Sequence, residues 1–468
     1  MSEEGASHAP HPIQIRTNLP KEPSSSITDV QEDYPISPSP RTGTPNPFSR
    51  KNTSMDIDDY FTGPRDIAKH SKWPLFLQMH GSILPKMVVP LIAVAMWSSL
   101  ITVISMKLRD QGVFLGVNSI LLTVTGFVVG LGLSLRSSTA YERYAEGRRC
   151  WSQLTQTTQT LGRVFWIHAA EREDCAKYDI LAKLTGMNLL VAFSVSLMHR
   201  LRFEPYSYYD DLTDLIDHLD TFAKSATDEN VFKPRDPNFF KRAGEHLGVS
   251  FATSNPRKAM KKAQSPIGNL PLEIMCYMSA YTDDLVNNGQ LPIPMTQTLA
   301  YNGIQALNDV LVNTERVLNT PLPIAYTIAI SQITWVYVFL LPFQLLPSLE
   351  WITIPASVAA AYIILGILLI GREIENPFGN DVNDLPLELY CQQVVQDLET
   401  IAARPRARPA DWIENSKNKV LFPHSESGYH IWASRPESAI RRALHNRPHN
   451  GFDKMMQAAT NEKGDASV

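Results

Sequence analysis

Ile120, Val124, Phe127, Val128, Leu131 and Leu135 recur at helical spacing and share one stripe. Around a common axis, Ile120, Val124 and Val128 from several copies would stack as apolar rings. Such a neck passes ions because it binds them weakly, and it closes by dewetting. An ordinary lipid-facing or packed helix carries the same stripe, so both readings stand at this point. Gly126, Gly130 and Ser134 form a second stripe on the far side, where small residues let another helix approach. A basic cluster follows Leu135, with Arg136, Arg143, Arg148 and Arg149. These arginines can concentrate anions at an inner mouth or act as ion pairs between helices. Other chemistry is sparse. Cys150, Cys175, Cys276 and Cys391 lie far apart, with no Cys-x-x-Cys pair and no His at ligand spacing. They read as reduced thiols, not as a disulfide framework or zinc site. The apolar blocks hold no paired carboxylates, His cluster or nucleophile motif, and His445 with His449 sits in a polar tail. An enzyme is not expected, and no cofactor is required. A secondary transporter is disfavoured too, since there is no inverted repeat and no ionisable residue within the blocks.

These residues need elements to hold them. The chain has 468 residues, and its net charge of -4 gives no reason to expect a nucleic-acid partner. Hydrophobic residues make up 44%, an unremarkable average, but they concentrate in four blocks of transmembrane length, about 17 to 25 residues. The blocks are about 87–106, 119–135, 324–343 and 351–371, the last ending at Arg372. The connections between the first two and the last two are short, so each pair is predicted to be a helical hairpin. Basic residues follow the second and fourth blocks (Arg404, Arg406 and Arg408 among the latter), and none lies between 344 and 351. The positive-inside rule then places both termini and the long middle segment in the cytosol, with Lys107 and Arg109 the counter-signal.

Residues 1–62 are rich in Pro and Ser and read as a disordered tail without a secretory signal. The middle segment, 137–320, has helical patterning and is predicted to be a cytosolic helical region. Within it, Met187 to Met198 is apolar but too short to span, so it is predicted to be a core helix. A polar insertion of partial helical structure runs from about 203 to 271. Residues 404–468 form a C-terminal tail in which Ser438 to Arg447 can make a short basic amphipathic helix.

Four stretches then narrow the field. They are Arg136-Ser-Ser-Thr-Ala-Tyr141-Glu-Arg143-Tyr-Ala-Glu146-Gly147-Arg148-Arg-Cys-Trp151, His80-Gly81-Ser82-Ile83, Thr320-Pro-Leu-Pro-Ile-Ala-Tyr326-Thr327 and Glu375-Asn376-Pro377-Phe378-Gly379-Asn380-Asp381. In order and in register with the four blocks, they resemble the bacterial and fungal branch of the bestrophin family, over about 72–403. The resemblance implies an all-α integral membrane protein, with a channel domain at 63–403. Each subunit would have four transmembrane helices plus a helical cytosolic domain, and a homopentamer would surround a central pore. The family's neck positions match Ile120, Val124 and Val128, and a cytosolic constriction falls near Met295, with Ile293 its neighbour. Arg136, Tyr141, Arg143, Glu146, Arg148 and Trp151 match the family's inner-mouth motif.

The family's calcium clasp, an acidic loop with a carbonyl from the chain's start, matches Glu373, Asn376, Asp381 and Asp384. Here the acidic run is diluted to Asn380-Asp-Val-Asn-Asp384, and a glutamate replaces a glutamine at 373. Asp384, ahead of Pro386, is predicted instead to cap the helix entered at Leu387. The neck has no carboxylate ring to attract cations, and helix N-termini and aromatic edges solvate anions without trapping them. The expectation is a passive channel for chloride or other anions, embedded in the lipid bilayer. The long tails and insertion suit a fungal-type member at the plasma membrane. The alternative is a non-conducting membrane scaffold or receptor with a partner-binding cytosolic domain, whose second-block stripe would face lipid.

Overall fold

The computed structural model describes residues 81–109, 116–117, 119–204, 209–226 and 268–445. The 1–62 tail, His80 and most of the 203–271 insertion lie outside these residues. Among the described residues all regular structure is helical. The longer elements are α1 (Leu84–Arg109), α2 (Ser119–Arg163) and α3 (Ala176–Leu201). Two short helices of the insertion follow, α4 (Asp210–Ile216) and α5 (Phe222–Ala226). The chain continues with α6 (Leu270–Asn287), α7 (Pro294–Asn319), α8 (Ile324–Leu349), α9 (Thr353–Glu373) and α10 (Leu387–Ala402). The C-terminal part carries α11 (Pro409–Ile413), α12 (Tyr429–Ala433) and α13 (Glu437–His445). The last of these is the basic amphipathic helix read from the sequence.

Two apolar cores organise the chain. One gathers Met87 and Val94 of α1, Val129 and Leu133 of α2, Ile330 and Val338 of α8, and Ala361, Leu365 and Leu368 of α9. The other joins the lower half of α2 to α3, α6, α7 and α10, with Trp151, Phe165, Phe193 and Leu307 fully buried. α2 belongs to both. It does not stop after Leu135 because the next residues contain no proline and bury Ala140, Gly147, Cys150, Leu154 and Leu161 at helical spacing. A helix of this length reaches about 68 Å. It ends in a π-helical turn, Val164–His168.

The first expected hairpin does not form as a packed pair. α8 and α9 sit together in the middle of the upper layer; α1 packs on one flank, chiefly against α9, and α2 packs on the other against both. Among the described residues α1 and α2 barely touch. The spacing of two apolar blocks shows that they are close in sequence, not that their faces match.

By length and composition, Leu84–Leu108, Glu173–Leu201 and Ile324–Glu373 could each cross a membrane. The 119–135 block is shorter and runs straight on into a charged helix. Burial separates the three. The apolar window of Glu173–Leu201 is 61% buried within the chain, against 28% for each of the others. α3 is therefore the core helix expected, though not because it is short: it has 26 residues. It also buries Asp179, Lys183 and His199, each with a charged partner: Arg172 at 2.7 Å, Glu171 at 2.9 Å and Glu204 at 2.7 Å. Buried charges need such partners.

Candidate functional site

The upper end of α2 is pinned before the helix starts. Pro347 has no N–H to give the carbonyl four residues earlier, and that carbonyl, Phe343 O, instead accepts from Val117 N–H at 3.3 Å. Gly116 lies against the Pro347 ring so closely that a Cβ would come within 2.8 Å of Cγ. From there α2 presents Leu122, Val129 and Leu133 to the layer, all buried. The face turned half a revolution away carries Ile120, Val124, Phe127, Val128, Leu131 and Leu135, between 48% and 73% exposed in the single subunit. The predicted stripe is thus real, and its six side chains are exposed among the described residues. The small-residue stripe is corrected. Gly126 does meet α8, where a Cβ would lie 3.0 Å from the Tyr337 hydroxyl, but Gly130 has nothing within 4 Å and Ser134 is exposed.

Below Leu135 the same outward face turns polar, through Ser138, Glu142, Arg149, Gln156 and Arg163, all exposed. α7 runs antiparallel to this half of α2. Gly303 abuts Leu161, Arg316 pairs with Glu146, and Thr320 lies by Arg143. The chain ahead of α7 is fastened at the far end of α2, where Ala170 N–H donates to Gln290 O at 2.8 Å and Gln290 Nε2 donates to Ala170 O at 3.0 Å. Ile293 and Met295 follow at once, 57% and 76% exposed. The residues predicted for the neck and for the second constriction therefore sit at opposite ends of one helix, on the order of 60 Å apart.

The inner-mouth motif is a bracket. Arg143 donates from Nε to Glu375 O at 3.0 Å, from Nη2 to Val317 O at 2.7 Å, and from Nη1 to Thr320 O. Two of these are carbonyls at the C-terminal end of α7, which lack helical donors and favour positive charge. Arg136 is buried opposite Glu375, 3.5 Å away. Glu146 pairs with Arg316. Arg148 lies 4.3 Å above the Tyr390 ring, and Trp151, fully buried, is 6.0 Å from the same ring. Tyr141 is exposed and belongs to the outer surface. Of the basic cluster after Leu135, Arg149 is the arginine on the outward face, with Arg163 further along it.

The segment after α9 closes the bracket. Phe378, fully buried, packs against Gly147, where a Cβ would come within 3.1 Å of its ring. Glu373 accepts from Asn383 Nδ2 at 2.8 Å and lies 3.1 Å from Lys86 Nζ. Asn383 Nδ2 also donates to Gly81 O at 3.0 Å, and Lys86 Nζ lies 3.4 Å from Asp381. Gly81 adopts a φ of +76° that side chains resist, which explains a glycine there. Asp384 does not cap α10. Its Oδ2 accepts from Asp381 N–H at 2.7 Å, while the cap position is Pro386, whose ring carries no acceptor. Burial pushes the Asp384 carboxyl up to about 7. Among the described residues no three His, Cys, Asp or Glu side chains are placed to hold a metal ion. Lys86 and Asn383 were not foreseen; Lys86 stood in the sequence only as the charged edge of an apolar block.

Fold and site together define an all-helical membrane protein in which one long helix joins an apolar layer to a polar-faced helical body. The chain belongs to the bestrophins: the family described as Bacterial/Fungal Bestrophin protein matches residues 65–400. It is 31% identical over 357 residues to the voltage-dependent anion channel-forming protein alr2987 of Nostoc sp., covering 75% of this chain and 98% of that one. It is 32% identical over 283 residues to the protein of the same description, sll1024, of Synechocystis sp., covering 60% and 77%. A crystal structure of a variant bacterial bestrophin homologue from Klebsiella pneumoniae matches with a TM-score of 0.50 at 26% identity, over 69% of this chain and 100% of that one.

Proposed function

We propose that this chain is a passive anion channel, carrying chloride or related anions through a central pore. It acts as a homopentamer of four-span subunits at the plasma membrane, with both termini in the cytosol, and it catalyses no reaction. The observation that carries this reading is the outward face of α2. Its apolar stripe is exposed among the described residues, and below Leu135 the same face becomes polar and bears Glu142, Arg149 and Arg163. Lipid would account for the stripe alone, with the charged face then lying in open cytosol. A shared water-filled axis accounts for both. Ile120, Val124 and Val128 then form the neck, and Ile293 and Met295 a second narrow ring at the cytosolic exit. Weak apolar rings permit rapid passage, and the arginines between them raise the local anion concentration. Relatives described as voltage-dependent anion channel-forming proteins support the same reading.

The experiment is flux from vesicles containing the purified protein, chloride against a large organic cation, for wild type, Val124→Ala and Val128→Ala. An anion-selective flux altered in both variants is expected. A folded, oligomeric wild type that conducts nothing would overturn the channel and favour the scaffold.

A further inference from the structure

The family implies a calcium ion between the acidic loop and a carbonyl near the chain's start, and the residues here do not fit one. Calcium takes six to eight oxygens at about 2.3–2.6 Å. In this chain both oxygens of Glu373, the Gly81 carbonyl and one oxygen each of Asp381 and Asp384 are already engaged by nitrogen donors of the protein. The two oxygens of Glu373 are divided between the Lys86 ammonium and the Asn383 amide, at 3.1 and 2.8 Å. The Gly81 carbonyl accepts from the same Asn383 amide. Asp381 faces Lys86 at 3.4 Å, and Asp384 turns back onto the Asp381 amide. The Glu373 side chain is only 9% exposed, so its charge needs a counter-ion at hand.

We propose that Lys86 is the clasp's own cation: its ammonium, tethered on the first turn of α1, fastens that helix to the loop after α9 and leaves no calcium site. The ends joined are those that join the two layers. A dissociable ion there would make the junction responsive to calcium, whereas a covalently attached one makes it permanent. A lysine offers three donors and no acceptor, so Lys86 bridges Glu373 and Asp381 and its charge also repels a divalent ion from them. Asn383 completes the effect by turning a donor toward both the glutamate and the carbonyl.

The test uses the full-length protein in detergent, with calcium binding followed by titration calorimetry and stability by the thermal unfolding midpoint. Neither readout depends on conduction, so failure here is separate from failure of the channel reading. Wild type is expected to take up no calcium up to about 1 mM, the weak end of protein calcium sites. Saturable binding to wild type that Glu373→Gln abolishes would overturn the proposal. Lys86→Met is expected to unfold at a lower temperature in chelator and to recover with CaCl2 but not with MgCl2. A Lys86→Met midpoint equal to wild type in chelator would also overturn it. Should Lys86→Met not be recovered folded, Lys86→Arg, which keeps the charge, is expected to match wild type in both calcium indifference and midpoint; a Lys86→Arg protein that binds calcium would count against the idea.

Discussion

Single side chains in this protein carry unusual structural weight, Arg143 most of all. Its guanidinium reaches three backbone carbonyls in two separate segments, the end of α7 and the turn after α9. Hydrogen bonds to a charged donor contribute about 1.5–3 kcal/mol each, and an orphaned carbonyl adds a desolvation cost. Arg143→Ala is expected to lower stability by about 3 kcal/mol or more, read as a reduced unfolding midpoint. Arg143→Lys should recover little of it, because a single ammonium does not reproduce a planar fork.

His199 acts on a smaller scale. It is buried between Glu204 and Asp211, at 2.7 and 3.2 Å, and stacked on Tyr209 with ring centres 4.0 Å apart. Burial alone would lower its pKa, but the two carboxylates outweigh it and raise the value above the ordinary 6.5. The histidine's contribution is thus full below about 6.5 and is lost as pH rises through the raised folded value. The unfolding midpoint should fall between about pH 6 and pH 8. Asp384 pulls in the same direction below about 7, so the decisive comparison is His199→Gln, in which the fall should be shallower. An identical slope in the variant would refute the assignment.

At the scale of elements, α2 is the organising piece. Its inner face is committed twice, to α8 and α9 above Leu135 and to α7 and α10 below. Its outer face stays exposed in the single subunit, among the described residues. Two glycines make the lower packing possible. Gly303 of α7 sits on Leu161, and Gly162 of α2 sits on Leu398, with a Cβ at either position coming within 2.6 Å of a leucine methyl. Gly303→Val should overpack this crossing and cost about 1–3 kcal/mol, measured as a lower unfolding midpoint, while Gly303→Ala should be milder because the Leu161 tip can turn aside. On the outer face, Arg149→Gln should reduce anion flux at low salt and have little effect at high salt, where screening removes the local accumulation. Equal loss at both salt concentrations would point to a packing defect instead.

For the whole molecule, the four family motifs turn out to meet at one place. Gly147 packs on Phe378, Arg143 holds Thr320 and Glu375, and Asn383 holds Gly81. That place is the junction between the apolar layer and the helical body. If subunits share the proposed pore, native mass measurement should give five times the 52.5 kDa subunit. A stable monomer retaining flux would contradict the shared pore.

By itself the sequence determined the all-helical class, the apolar blocks at about 87–106, 324–343 and 351–371 and the apolar stripe from Ile120 to Leu135. Each of these depends on local composition and on a period of 3.6 residues, which a single chain displays directly. The family followed from motifs whose order and spacing survive without any knowledge of contacts. Only the tertiary structure decided that α1 packs on α9 and not on α2, that α2 runs unbroken through both cores, and that Arg143 is a clamp while Arg149 faces outward. It alone turned Asp384 from a helix cap into a loop bond and placed Lys86 against Glu373, 287 positions later in the chain. These outcomes depend on which faces and charges meet across long stretches of chain. Periodicity records only which residues share a face, and a lysine at the edge of an apolar block reads as a boundary until its carboxylates are in view.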